Sequence, residues 1–87
     1  MRPRIDWINQ TDERILELLA ESELVLTPTV LGENLGYDRS WVSERLKKLR
    51  DHGLVVRIAR GKYRISERGE AYLSGDLDAN ELQQTEE

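Results

Sequence analysis

Between residues 39 and 64 this 87-residue chain concentrates nine of its thirteen lysines and arginines, but only two of its seventeen acids. That segment carries +7 (nine minus two) and the remainder −11 (four minus fifteen), for a net −4. Attraction to a polyanion follows the local field and not the net charge, so the segment has the chemistry of a phosphate-backbone binder. Two sets of side chains carry it. On a helical wheel with Val42, Leu46 and Leu49 turned inward, the opposite face holds Ser40, Glu44 and Lys47, flanked by Ser43 and Lys48. Ser40 and Ser43 are short donors and acceptors near a helix start, where base edges are approached, and Lys47 and Lys48 can reach guanine edges or phosphates. Glu44 can accept from cytosine N4, or it can pair along the helix with Lys48 or Ser40. Arg39 stands at the helix start, where the dipole disfavours a cation, so a phosphate contact suits it better than a stabilising role. The second set, Arg57, Arg60, Lys62 and Arg64, is spaced for a hairpin. Four neighbouring cations repel one another unless a phosphate backbone or minor groove relieves them, the alternative being a solvated charged hairpin.

The residue types exclude other chemistries. His52 is the only histidine and cysteine is absent, so no nucleophile–base couple, thiolate metal site or disulfide framework can be assembled. Gly61 and Gly69 form no phosphate-cradling loop motif. The chain reads as a non-enzyme, with no cofactor and no metal. His52 reads as a helix-end cap or surface residue, Tyr63 and Tyr72 as core, and Trp41 as a cover over the preceding helix, the alternative being an apolar contact with a thymine methyl.

The elements that must position these groups are legible from caps and periodicity. Residues 1–8 form an arm carrying Trp7 and Ile8. Asn9 or Thr11 caps a helix running to Ser22, with Ile15, Leu16, Leu18 and Leu19 as its apolar stripe. Leu24, Val25 and Leu26 suit one short strand. Thr27-Pro28 opens a helix over 28–35 that Gly36 stops, and Asp38 caps a third over 39–52. A hairpin follows. With Arg60-Gly61 as a two-residue turn, Ala59 pairs with Lys62, Ile58 with Tyr63, Arg57 with Arg64 and Val56 with Ile65. This register puts Val56, Ile58, Tyr63 and Ile65 inward and Arg57, Lys62 and Arg64 outward. Ser66 caps a helix over 67–74, and Asp78-x-x-Glu81 is a capping box for one last turn containing Leu82, with a polar, frayed tail from 83 to 87. The fold class is α+β, mostly α: a three-helix core, a short strand, a two-stranded β wing and a C-terminal helix. The domain spans 9–75, between the arm of 1–8 and a short helix and tail of 76–87.

The run Leu35-Gly36-Tyr37-Asp38, then Ser40-Trp41-Val42-Ser43 through Leu46 and Leu49 to His52-Gly53-Leu54-Val55, resembles the core of winged helix-turn-helix regulators of the MarR and ArsR groups. Over most of its length the chain is also similar to haloarchaeal repressor-like proteins related to the phage phi-H repressor. Asp12–Glu21 match their opening helix, and Gly61–Leu73 match their G-x-Y-x-I-(S/T)-x-R-G-x-x-Y-L ending. The resemblance implies a transcription regulator, a repressor by type, that binds double-stranded DNA as a homodimer. The long dimer-forming helices of MarR proteins and the metal-binding clusters of ArsR sensors are missing, so an effector pocket and a metal response are not implied.

Composition sets the remaining bounds. Ten arginines against three lysines among abundant acids is similar to the surface chemistry of proteins from salt-loving archaea. One domain fits this length, no apolar run reaches the ~18 residues of a membrane span, and the N-terminus lacks a signal-peptide pattern, so the expected location is cytoplasmic. Pairing of two copies would double the phosphate contacts. Trp7 and Ile8 in the arm, with Leu73, Leu77 and Leu82 near the C-terminus, are the candidate dimer surface. Two other readings stay open at this point: a winged helix that meets an acidic protein surface, and an architectural DNA binder without sequence preference.

Overall fold

The first helix, α1 (Gln10–Ser22), starts where Asn9 and Asp12 cap each other reciprocally, the Asn9 side chain accepting from the Asp12 amide at 2.9 Å and Asp12 from the Asn9 amide at 3.0 Å. Asn9 is therefore the cap, and Thr11 is buried within the first turn. The computed structural model describes residues 2–83. Ile15, Leu16 and Leu19 on α1 are fully buried, and the helix ends at Glu23 in the left-handed region (φ 56°). The short strand expected over Leu24–Leu26 reduces to one bridge, in which Leu26 and Tyr63 exchange backbone hydrogen bonds of 2.8 and 2.9 Å.

Thr27 caps α2 (Pro28–Leu35), its hydroxyl accepting from the Val30 amide at 3.1 Å, and Gly36 at φ 80° ends it. Asp38 caps α3 (Arg39–Asp51), and His52 closes it. The α2–α3 turn is tight because Gly32 has no side chain. A Cβ there would lie 2.6 Å from the Tyr37 carbonyl oxygen. Val42, Leu46 and Leu49 on α3 are fully buried, as the wheel predicts.

The hairpin comprises β1 (Val55–Ala59) and β2 (Lys62–Ile65), antiparallel. Its register corrects the expectation. Ala59 pairs with Lys62, but a bulge between Arg57 and Ala59 shifts the rest, so that Arg57 faces Tyr63, Val56 faces Arg64 and Val55 faces Ile65. The cause is burial at the strand base. Leu54, Val55 and Ile65 are at most 7% exposed, and pairing Val55 with Ile65 puts both into the core that α4 covers. One extra residue must then be accommodated, and Ile58 is the one left out of the ladder, 47% exposed instead of inward.

Ser66 caps α4 (Glu67–Ser74), accepting from the Gly69 amide at 2.9 Å and donating to the Gly53 carbonyl at 2.6 Å. Tyr72 is buried, as expected, while Tyr63 is half-buried. The last helix, α5 (Ala79–Gln83), starts at Asp78, whose side chain accepts from the Asn80 amide. Gln83, expected in the frayed tail, closes this helix; the remainder of that tail, 84–87, lies outside the described residues. Three helices, a bridge, a two-stranded wing and closing helices around one apolar core make the architecture a winged helix-turn-helix. Among the described residues no helix is long and apolar enough to cross a membrane.

Candidate nucleic-acid interface

Two close approaches build a cleft. Gly32 lets α2 and α3 meet near their shared turn, and the Leu26–Tyr63 bridge ties the entry of α2 to β2. The starts of α2 and α3 therefore converge with the wing turn. The resulting open cleft, about 680 Å³, is lined by Thr27, Pro28 and Thr29, by Arg39, Ser40 and Ser43, and by Arg60 and Gly61. Both helices present their positive ends there, and Arg39 and Arg60 add full charges. Of the recognition set, the structure brings Arg39, Ser40 and Ser43 to this cleft together with Arg60 of the wing. Lys47 and Glu44 are exposed along the same outer side of α3.

Among the described residues, the ion pairs engage Arg2, Arg45 and Arg68. Arg39, Lys47, Arg57, Arg60, Lys62 and Arg64 are exposed and outside those pairs. Arg50, at 80° on the wheel from Val42 and beside Ser43, is half-buried and also outside those pairs; the sequence reading passed over it.

The wing cations do not share one face, which corrects a second expectation. Directly paired residues lie on the same side of a ladder, so Arg57 goes with Tyr63 and Ile65, while Lys62 and Arg64 go with Val56 on the other side. The bulge at Ile58 is the reason. Arg60 sits at the tip, and Arg64 lines a separate groove of about 190 Å³ with Leu19, Glu23, Leu24, Ile65 and Glu70, away from the cleft.

The other flank of α3 forms a seam that the sequence reading missed. Trp41, Arg45, Lys48 and His52 recur at i, i+4, i+7 and i+11, a single stripe on a helix. Arg45 donates to both oxygens of Asp12 at 2.7 and 2.5 Å and to the Trp7 carbonyl at 3.0 Å. The hydrogen bond to Asp12 raises the Arg45 pKa above its ordinary value. The Trp41 indole donates to the Thr11 hydroxyl at 3.2 Å, which ties Trp41 to α1, a contact that the expected cover over α2 did not include. Lys48 holds its ammonium 5.5 Å from the centre of the Trp7 ring, and His52 stacks on that ring at 4.1 Å. Lys48 is thus drawn toward the arm, and one of the nine cations, Arg45, is neutralised inside the fold.

The N-terminal arm and α5 meet at the same place. The Trp7 indole donates to the Leu82 carbonyl at 2.8 Å, and Arg68 joins the His52 carbonyl to the carbonyl and carboxylate of Glu81. Leu82, expected at a dimer surface, is fully buried within a single chain and has nothing left to offer a partner. Trp7, Ile8, Leu73 and Leu77 are partly buried against the same core. Among the described residues no group of three or more His, Asp or Glu could hold a metal ion.

Comparison with known proteins agrees with this architecture. Residues 1–85 match the family model described as winged helix-turn-helix phage repressor. The chain is 33% identical over 87 residues to the repressor protein of Halobacterium phage phiH, covering 95% of this chain and 98% of that one. It is also similar to the PhiH1 repressor-like protein from Haloarcula marismortui, whose crystal structure matches with a TM-score of 0.82 at 44% identity over 91% of each chain.

Proposed function

This chain belongs to the winged helix-turn-helix phage repressor family, and from that premise we propose that it is a sequence-specific repressor of transcription that reads duplex DNA with α3 and holds the backbone with its wing. The family is one of DNA-binding regulators, not enzymes. The observation that carries the finer reading is the cleft where two helix starts and the wing turn converge, with Arg39 and Arg60 on its walls and Lys47 exposed on the outer side of α3. A major groove about 12 Å wide admits a helix. Ser40, Ser43, Glu44 and Lys47 then face base edges, while Arg39, Arg60 and Lys62 neutralise phosphates. Lys48 takes part less, because its ammonium already lies over the Trp7 ring.

Two copies act together in this reading, with half-sites about 34–36 Å apart, in the cytoplasm where the DNA is. With Leu82 inside the fold, the candidate dimer residues that keep some exposed apolar surface are Trp7, Ile8, Leu73 and Leu77. Selection of binding sites from random duplex DNA tests the proposal. Enrichment of one motif, lost on Arg39→Glu with Lys47→Glu, is the expected result. Equal affinity for shuffled duplexes would instead indicate an architectural binder, and no affinity for duplex would indicate a protein-interaction module.

A further inference from the structure

We infer that Arg45 is a positioning residue for DNA reading: its fork on Asp12 and the Trp7 carbonyl fixes the rotation of α3, so that α1 and the N-terminal arm govern sequence selectivity without touching a base. This rests on the DNA-reading proposal above and adds to it a residue outside the DNA-facing set.

The apolar contact of α3 settles which side faces the core: Val42, Leu46 and Leu49 are fully buried, and the hydrophobic effect that drives this is itself non-directional. The seam is directional. Arg45 places two parallel donors on Asp12 at 2.7 and 2.5 Å and a third bond on the Trp7 carbonyl at 3.0 Å. A planar guanidinium satisfied on three acceptors has one orientation. Its target is equally fixed, because Asp12 is fully buried and spends Oδ2 on the Asn9 amide at 3.0 Å as well. Two further contacts flank the fork along the same stripe: Trp41 on Thr11 at 3.2 Å, and His52 stacked on Trp7 at 4.1 Å.

The consequence for DNA follows from helix dimensions. Side-chain tips stand about 5–6 Å from a helix axis, so a 20° rotation moves them by roughly 2 Å. A hydrogen bond to a base edge tolerates a few tenths of an ångström, whereas a long cation can follow a phosphate. Loss of the fork should therefore erode selectivity and spare general affinity.

The test replaces the pair with apolar side chains, Asp12→Leu with Arg45→Met, which removes the uncompensated charge that either single change would leave. Residual dipolar couplings in the DNA-free protein are expected to show α3 reoriented or averaged relative to α1. Affinity for the selected duplex should fall tenfold or more, with affinity for shuffled duplex within twofold of the parent and the salt slope unchanged. An unchanged slope separates positioning from phosphate contact, since each lost phosphate lowers the slope by about 0.9. Should the double variant fail to fold, Arg45→Lys, which keeps the charge and loses the fork, serves the same comparison. Unchanged α3 orientation, or intact selectivity in the folded variant, overturns the inference. A parent protein that selects no sequence overturns the DNA reading itself.

Discussion

Replacing Asp12 by alanine removes three hydrogen bonds at once. Asp12 accepts from Arg45 at 2.7 and 2.5 Å and from the Asn9 amide at 3.0 Å. Its side chain is fully buried, and that of Arg45 is only 16% exposed, so the guanidinium keeps its hydrogen bond to the Trp7 carbonyl and its place 5.5 Å from the centre of the Trp41 ring. Breaking one side of a buried pair costs about 3–5 kcal/mol, and the partial exposure of Arg45 lets water reach it, which favours the low end, about 3 kcal/mol. Loss of the carboxylate half of the capping box adds about 0.5–1 kcal/mol. The sum, about 4 kcal/mol, is between about three-tenths and nearly all of the roughly 4–13 kcal/mol expected of 87 residues. Urea denaturation followed by tryptophan fluorescence measures it well, because Trp7 and Trp41 both sit on the seam. Glu81→Ala is the control: its carboxylate pair with Arg68 is half-exposed, and its loss should cost about 1 kcal/mol or less. A cost for Asp12→Ala no greater than the control would refute the reasoning.

Gly69→Ala should lower the thermal midpoint. The new Cβ would overlap the Leu54 carbonyl oxygen and lie 2.7 Å from Ile65 Cγ1, so overpacking of about 1–3 kcal/mol or more outweighs the roughly 1 kcal/mol of helix propensity gained. A raised midpoint would mean that α4 sits farther from the wing base. Burial, then the hydrogen bond to Glu13 at 2.8 Å, raise the pKa of Tyr72. The folded chain thus keeps a proton that the unfolded chain releases above the ordinary tyrosine value of about 10. Stability from this group is whole below about pH 10 and declines above it by about 1.4 kcal/mol per pH unit. Tyr72→Phe should flatten that alkaline decline in a pH series of denaturation curves, and an equal decline in the variant would contradict the assignment. Arg60→Ala should reduce the slope of log affinity against log salt by about 0.9 per protomer, and an unchanged slope would place the wing tip off the backbone.

What was legible in the sequence was local. Thr27-Pro28, Gly36, Asp38, Ser66 and Gly75 each cap or stop a helix through contacts within a few residues, so type and spacing suffice to place α2, α3 and α4. The stripe of Val42, Leu46 and Leu49 fixed which side of α3 faces out, and that brought Arg39, Ser40 and Ser43 to the cleft. The wing register was not legible. Alternation pointed to the bulge-free frame, and only burial of Leu54, Val55 and Ile65 in the core selects the frame with a bulge at Ile58. Arg45 was hidden for a different reason. Its partner lies 33 residues away on another helix, and a lone arginine among eight neighbouring cations looks solvated until the fold closes. The dimer surface failed similarly at Leu82, because an arm and a terminal helix that cover each other leave the same apolar pattern as two ends awaiting a partner.

Amide chemical-shift mapping during titration with the selected duplex tests the contact between cleft and DNA most directly. The resonances of Ser40, Ser43, Lys47, Arg60 and Gly61 should shift or broaden first, while Glu17 and Glu21 on the acidic side of α1 stay in place. Largest changes on that acidic side, or none at a large excess of duplex, would contradict DNA reading by this surface.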